Sequence, residues 1–154
     1  MTPAINIAQK AKVKYRIHEY QHDGTCPSYG LEAAEKLAVP SFQVFKTLIV
    51  QLDNHKLVVG IIPVSATLKM KSMAKSMQVK KAAMALARDV ERSTGYVLGG
   101  VSPLGQKKQL VTLIDASAQD YKTIFVSAGR RGVEIELSPH DLQKLTGARF
   151  ARLC

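Results

Sequence analysis

A lysine at the start of an apolar strand and a glycine-rich loop are the features of this sequence best suited to chemistry. Lys46 begins the apolar run 46–50, where an ammonium group at the mouth of a sheet can meet a ligand anion or a carbonyl oxygen. Segment 93–105 combines four glycines with hydroxyl side chains. Such glycines let the backbone approach a ligand and present amides to an anion or oxyanion. The structural alternatives are a lysine whose stem covers a strand end and an irregular loop without a ligand.

Two common catalytic motifs do not fit this loop. A P-loop requires glycine directly followed by lysine and a hydroxyl residue, but Gln106 separates Gly105 from Lys107. A nucleophile elbow requires Gly-x-Ser-x-Gly, but Leu104 stands where the second glycine is needed after Ser102. Nucleotide binding by a P-loop and nucleophilic catalysis by Ser102 are therefore disfavoured.

The histidines and cysteines do not indicate a metal site. His18, His22 and Cys26 are spaced by four residues, but they fall on a strand followed by a loop, where that spacing does not bring side chains together. Cys26 and Cys154 cannot supply a four-ligand zinc site on their own. Nothing in the pattern orders a Ser-His-Asp triad, so we expect neither a metal nor a cofactor.

The charge balance points to a polyanionic partner. The chain has 22 Lys and Arg residues against 12 Asp and Glu residues, a net charge of +10. Nucleic acid is the first candidate for such a basic protein, and an ordinary solvated surface is the alternative. The charge is densest from Lys69 to Arg92, and the lysines expected to contact nucleic acid are Lys69, Lys71, Lys75, Lys80, Lys81, Lys107 and Lys108.

Length and composition predict one globular domain over residues 1–154. Hydrophobic residues make up 46% of the 154 residues and charged residues 22%, which excludes a mostly disordered chain. The amino terminus lacks the basic segment and apolar run of a secretory signal. No apolar run approaches the roughly 20 residues that span a bilayer. We therefore expect a cytoplasmic protein with reduced cysteines and no membrane partner.

Periodicity and capping residues predict an α+β fold with a mixed, strongly twisted sheet. Helices are expected over residues 3–11, 30–38, 87–93 and along the stripe Met70, Met73, Ala74 and Met77, with a last helix capped by Ser138. Strands are expected over residues 15–20, 46–52, 56–64, 79–83, 109–114, 123–126 and 133–137. Loops are expected over residues 22–29 and 95–105, and a turn over residues 128–132.

Three stretches carry a resemblance to a known family, namely Phe45 to Leu48, Ser93 to Lys108 and Val126 to Gly132. The sequence resembles the YbaK/EbsC family of free-standing aminoacyl-tRNA deacylases, specifically the YbaK-type Cys-tRNA(Pro) deacylases, over almost its whole length. The resemblance implies a barrel-like sheet surrounded by helices. It also implies proofreading in trans. Prolyl-tRNA synthetase mischarges tRNA(Pro) with cysteine, and the deacylase binds the acceptor end of that tRNA and removes the cysteine.

The mechanism implied by the resemblance uses the substrate as its own nucleophile. The cysteine thiol attacks the aminoacyl ester and leaves as a thiolactone, although hydrolysis of the ester is also open. The catalytic residues implied are Lys46, at the terminal phosphate or the ester oxygen, Tyr20, which positions the aminoacyl group, and the backbones of Gly99 and Gly100. The substrate-binding residues implied are Ser28, Tyr29, Thr47, Ser127 and Glu134.

Two positions depart from the family pattern. Ser28-Tyr29-Gly30 replaces the common Asn-Phe-Gly, and Glu134 stands where the family has aspartate. These departures concern the pocket rather than the reaction class. An Ala-tRNA(Pro) deacylase that uses water in a size-limited pocket is the first alternative, and a noncatalytic module that binds tRNA or a synthetase is the second.

Overall fold

The computed structural model of the chain describes residues 1–26 and 28–154 and has an α+β architecture, as the sequence predicts. The helices are α1 (Pro3–Ala11), α2 (Tyr29–Lys36), α3 (Met70–Ser76), α4 (Ala87–Thr94) and α5 (Pro139–Thr146), with a 3-10 helix at Ala116–Asp120. The strands are β1 (Tyr15–Glu19), β2 (Phe45–Leu52), β3 (Leu57–Pro63), β4 (Ala82–Met84), β5 (Val111–Asp115), β6 (Ile124–Arg130), β7 (Val133–Leu137) and β8 (Arg149–Ala151).

The strands form two sheets. An antiparallel three-stranded sheet has the order β1-β7-β6, and a mixed five-stranded sheet has the order β4-β2-β3-β5-β8. In the larger sheet β2 pairs antiparallel with β3 and β4, whereas β5 runs parallel to β3 and to β8. A parallel bridge between Val44 and Phe125 joins the start of β2 to β6. The barrel-like sheet expected from the resemblance is therefore two sheets in contact rather than a closed barrel.

Local signals explain most of the elements. The Thr2 hydroxyl accepts a hydrogen bond from the Ile5 amide at 3.2 Å and starts α1, and the Ser138 hydroxyl accepts one from the Asp141 amide at 3.0 Å and starts α5. The strands expected at 46–52 and 56–64 pair as the antiparallel hairpin of β2 and β3, with His55 in the left-handed conformation of its turn at φ 69°. In α3, Met73 and Ala74 are buried and the lysines are exposed, which confirms the predicted stripe.

Several boundaries differ from the prediction. The strand expected at 79–83 forms over Ala82–Met84, because the Val79 amide closes the end of α3 and Asp53 accepts from the amides at 80 and 81. Helix α2 ends at Lys36, and Ala38 has a φ of 56°. Strand β6 continues through the expected turn to Arg130 with a bulge after Ser127. Pro27, inside the predicted loop 22–29, lies outside the described residues.

The packing places α2 beside the smaller sheet. Ala33 and Ala34 of α2 are buried against Val44, Val64 and Phe125. This contact fixes the amino-terminal end of α2 near the start of β2 and the end of β1, where the principal cavity opens. No helix in the described residues is long and apolar enough to cross a membrane.

Candidate active site

A cavity of about 500 Å³ lies between the two sheets, closed by α2 on one side and the glycine-rich loop on another. Its volume is in the range of roughly 300–1,000 Å³ usual for small-molecule sites. The lining residues are Tyr20, Ser28, Tyr29, Gly30, Val44, Phe45, Lys46, Thr47, Leu48, Val64, Leu98, Gly99, Val101, Ser127, Arg130, Arg131 and Glu134. Every residue predicted to be catalytic or substrate-binding is among them except Gly100.

Strand β2 supplies the lysine and a hydroxyl without a partner. Lys46 is partly buried and lines the cavity, and no carboxylate of the described residues lies within 4 Å of its ammonium group. The Oγ1 atom of Thr47 is fully buried and makes no hydrogen bond within the described chain. Since buried polar groups are normally satisfied, the Thr47 hydroxyl has unused hydrogen-bonding capacity, which a ligand could reach only by displacing the atoms that cover it.

The smaller sheet supplies a buried carboxyl group. Glu134 of β7 stands opposite Ser127 of β6 and is only 7% exposed. Its carboxylate forms neither a hydrogen bond nor an ion pair with any described residue, and burial raises its pKa from 4.5 to about 8. Two residues along the strand, Glu136 accepts hydrogen bonds from His18 at 2.9 Å and Thr123 at 2.6 Å. Although burial alone would raise it, these bonds hold the pKa of Glu136 below its ordinary value.

Tyr20 is placed at the cavity by the pairing of β1 with the turn that follows β6. Its amide donates a hydrogen bond to the Gly132 carbonyl at 2.9 Å. Burial, reinforced by the negative charge of Glu134, raises the pKa of the Tyr20 phenol to about 12. The phenol is therefore protonated at neutral pH and can donate a hydrogen bond to a ligand.

The glycine-rich loop meets the cavity at one glycine rather than two. Gly99 lines the cavity with a φ of 91°, and a Cβ built there would lie 2.5 Å from Nε of Arg131. Gly100 is buried behind it, where a Cβ would lie 3.1 Å from the Cα atom of Arg130. Gly100 thus allows the loop to pack on the backbone of the turn between β6 and β7. Gly100 itself does not line the cavity. The buried Ser102 hydroxyl accepts from the Leu104 amide within the loop.

The described lining residues contain no activated nucleophile. The Ser28 hydroxyl caps α2 by accepting from the Leu31 amide, and the Ser127 hydroxyl accepts from the Gly129 amide at 3.1 Å. Neither hydroxyl has a histidine or carboxylate within hydrogen-bonding distance in this part of the structure. Among the described residues there is also no group of three or more His, Cys, Asp or Glu side chains that could hold a metal ion.

The seven lysines predicted to bind nucleic acid are all exposed, and none lines the cavity. Lys69, Lys71 and Lys75 belong to α3 and its amino-terminal cap, and Lys80 and Lys81 follow that helix. Lys107 and Lys108 lie beside the end of α4, bound through their amides to the carbonyls of Thr94 and Ser93. Their role in binding RNA stays a prediction.

The prediction from sequence missed the arginines at the cavity. Arg130 and Arg131 line it and are exposed, so they lie at its mouth. Both belong to the stretch 126–132 that carries part of the family resemblance, which was the available signal. The prediction also missed the apolar wall formed by Val44, Phe45, Leu48, Val64, Leu98 and Val101.

Comparisons with known proteins agree on one family. Residues 27–145 match the model of the aminoacyl-tRNA editing domain. The chain is 38% identical over 152 residues to "Putative Cys-tRNA(Pro)/Cys-tRNA(Cys) deacylase EbsC" of Enterococcus faecalis, an alignment that covers 99% of this chain and 92% of the relative. The crystal structure of hypothetical protein APE2540 matches with a TM-score of 0.87 and 27% identity, covering 99% of both chains.

A further solved structure shares the fold. The crystal structure of "a putative trans-editing enzyme for prolyl tRNA synthetase" matches with a TM-score of 0.83 at 20% identity, and the match covers 99% of this chain and 98% of that one. At this identity the likeness shows that the two chains have the same fold.

Proposed function

The chain belongs to the aminoacyl-tRNA editing domain family, and on that premise we propose that it removes cysteine from mischarged Cys-tRNA(Pro), with Cys-tRNA(Cys) as an additional substrate. It would act in trans in the cytoplasm, beside prolyl-tRNA synthetase. The name of the relative at 38% identity supports this substrate. A second editing step is chemically reasonable, because a hydrophobic pocket separates amino acids of similar size by only about 1–3 kcal/mol.

The observation that carries the proposal is the combination of unpaired groups in the cavity. Lys46 and Glu134 both line it, and neither is neutralised by a described residue. The hydroxyls of Ser28 and Ser127 accept hydrogen bonds from backbone amides, and no described histidine or carboxylate is hydrogen-bonded to either of them. A site with a cation, a buried carboxyl group and no activated nucleophile suits a substrate that brings its own nucleophile. The thiol of an esterified cysteine is such a nucleophile.

In the proposed reaction the substrate sulfur attacks the carbonyl carbon of its own ester. A carbon–sulfur bond forms, the bond from that carbon to the ribose oxygen breaks, and the products are a thiolactone and uncharged tRNA. The ionised form of Glu134, which is the minority form at neutral pH because burial raises its pKa to about 8, accepts the thiol proton and returns it to the ribose oxygen. Because its pKa of about 8 is close to the ordinary thiol value of about 8.5, this transfer is nearly balanced in free energy.

Lys46, Tyr20 and Gly99 would assist by binding charge and orienting the ester. The ammonium group of Lys46 stabilises negative charge on the carbonyl oxygen of the ester, and the protonated phenol of Tyr20 positions the aminoacyl group. Gly99 allows the substrate carbonyl to approach the loop backbone. The cavity volume exceeds the needs of a cysteine side chain, so selectivity would come from the thiol chemistry rather than from size alone.

Side-by-side deacylation of three substrates tests the proposal. We expect release of cysteine from Cys-tRNA(Pro) and little release from S-methylcysteinyl-tRNA(Pro) or Ala-tRNA(Pro). Equal cleavage of the methylated ester would contradict thiol attack, and faster cleavage of Ala-tRNA(Pro) would favour the water-dependent alternative. Saturable tRNA binding without any ester loss would indicate the noncatalytic module.

A pair of lysine variants tests the assigned role of Lys46. Lys46→Ala should abolish turnover and leave the circular dichroism spectrum unchanged. Lys56→Ala is the matched control, because it removes an equal charge from an exposed position outside the cavity, at the other end of the same hairpin. Full activity of Lys46→Ala would refute its role.

A further inference from the structure

Arg131 lies at the mouth of the cavity in an arrangement that holds its guanidinium group in place. The group lies 3.7 Å above the ring of Tyr29, within the distance of a cation–π interaction. Its Nη1 atom is 3.2 Å from Nε2 of His22. No carboxylate of the described residues lies within 4 Å of it. Arg131 is therefore an exposed cation with two side-chain contacts and no carboxylate counter-ion among the described residues.

A buried carboxylate behind His22 supports this arrangement. Nδ1 of His22 is 2.7 Å from Oε1 of Glu32, which is only 2% exposed. Oε2 of Glu32 also accepts from the Asp23 amide at 2.8 Å and pairs with Lys36 at 3.3 Å. Since a guanidinium group can only donate, both contacts of His22 are satisfied when Nδ1 carries the proton and Nε2 accepts from Arg131. The ring thus links Arg131 to the buried Glu32.

The guanidinium group also retains free donors beside the cavity. The close approach of Gly99 brings loop backbone next to Nε and Nη2 of Arg131, whereas Nη1 is the atom engaged by His22. Within the described chain, Nε and Nη2 make no hydrogen bond. A planar pair of such donors matches two oxygens of a phosphate, which is the geometry that favours arginine over lysine.

We propose that Arg131 binds the phosphodiester group of the last nucleotide of the RNA, and that His22 and Glu32 are positioning residues that orient its guanidinium group. The identity of the RNA rests on the proposed function. A substrate that enters with its aminoacyl group first places the ester near Glu134 in the interior. The phosphate of the same nucleotide is then left at the mouth, where Arg131 lies.

Binding of uncharged RNA tests this inference without any deacylation step. Two fluorescent hairpins would be compared by anisotropy, one ending in CCA and one trimmed of its last nucleotide and that nucleotide's phosphate. Wild-type protein should prefer the CCA hairpin about tenfold, and Arg131→Ala should lose most of that preference. For the CCA hairpin, the negative slope of log affinity against log salt concentration should be smaller in magnitude by about 0.7 in Arg131→Ala than in wild-type protein. This is the change expected when one phosphate contact to a single strand is lost.

Four further variants separate specific binding from loss of charge or fold. Arg16→Ala is the matched control, because it removes one exposed positive charge from β1 outside the cavity and should keep the CCA preference. Arg131→Lys should keep the salt slope and lose most of the preference, since it retains the charge without the planar donors. His22→Ala should reduce the preference at an unchanged salt slope, and His22→Gln should restore part of it.

The outcomes distinguish this inference from the proposed function. A CCA preference that is undiminished in Arg131→Ala, or that wild-type protein lacks, would overturn the role of Arg131. A loss of affinity in His22→Ala that is equal for both hairpins would overturn the positioning role. If wild-type protein leaves Cys-tRNA intact while Arg131→Ala still erases the preference, the deacylase proposal fails and the phosphate site stands.

Discussion

Replacing Glu134 by glutamine should make the protein more stable and less active. Glu134 lies in β7 with its carboxyl group in the cavity wall and without a hydrogen-bond partner in the described chain. Glutamine has nearly the same shape and carries no ionisable proton. The substitution therefore removes the cost of a buried negative charge together with the group proposed to accept the thiol proton.

The size of the stability effect follows from the pKa of Glu134. Burial raises that pKa from 4.5 to about 8, so between these pH values the folded chain holds a proton that the unfolded chain has lost. The free energy of unfolding of the wild-type protein therefore falls as pH rises through this window. At 1.36 kcal/mol per pKa unit the full loss is at most about 5 kcal/mol at pH 8 and above, and close to zero at pH 4.5.

Urea unfolding of wild-type protein and Glu134→Gln between pH 5 and pH 9 measures this effect. The variant should be the more stable protein, with an advantage that grows by at most about 1.4 kcal/mol per pH unit up to pH 8. Its kcat on Cys-tRNA(Pro) should fall by about 100-fold or more, the usual loss when a proton-transferring group is removed.

Glu136→Gln is the control for this experiment because it lies on the same strand and has the opposite pKa direction. Hydrogen bonds from His18 and Thr123 hold the pKa of Glu136 below its ordinary value, despite its partial burial. The stabilisation from these bonds is present above pH 4.5 and is lost as pH falls through the lowered pKa that Glu136 has in the folded chain. Glu136→Gln should therefore make the protein less stable at neutral pH. If Glu134→Gln were no more stable than wild-type protein at pH 8, burial of Glu134 would not carry the predicted cost.

Three further predictions concern the cavity wall and the charged surface. Thr47→Val should raise the free energy of unfolding by about 1–3 kcal/mol, because it removes a buried hydroxyl without a partner, and unchanged kcat/KM would contradict ligand contact by that hydroxyl. Gly99→Ala should lower kcat/KM at least tenfold by displacing Arg131 and Tyr29, whereas the unobstructed Gly24→Ala should leave it unchanged. Raising the salt concentration from 50 to 200 mM should weaken tRNA binding about 100-fold if four of the seven lysines predicted to bind nucleic acid contact phosphates. Binding that is insensitive to salt would show that these lysines do not contact the RNA.

Much of the candidate site could be predicted because the resemblance is carried by short, continuous stretches. Lys46 and Thr47 lie in one such stretch, and Ser127 lies in another. The structure brings these residues to one cavity with Tyr20 and Glu134. Gly100 does not line the cavity, because its Cα faces the backbone of the β6–β7 turn, which its proximity in sequence to Gly99 does not reveal, and its role in catalysis stays a prediction.

Other parts of the site could not be predicted because they depend on contacts between distant segments. Arg131 and His22 are 109 residues apart in the chain, and their contact requires β1, β6 and β7 to form one sheet. The sequence presents His22 only as a candidate metal ligand, whereas in the structure its ring contacts the carboxylate of Glu32 in α2. A helix such as α2 shows a buried face in its sequence, but the sequence does not show which partners that face meets.

The local elements and the set of reactive side chains can be inferred from the sequence. Capping by Thr2 and Ser138, the turn between β2 and β3, and the apolar stripe of α3 depend on residues a few positions apart, so their physical causes are visible in the chain. Which polar groups have hydrogen-bond or ion-pair partners depends on the tertiary structure. Glu134 and Glu136 are the same residue type on one strand, yet Glu134 is buried without a hydrogen-bond partner in the described chain, whereas Glu136 accepts two hydrogen bonds. The difference arises because the solvation of each carboxyl group depends on the groups that the rest of the fold places around it.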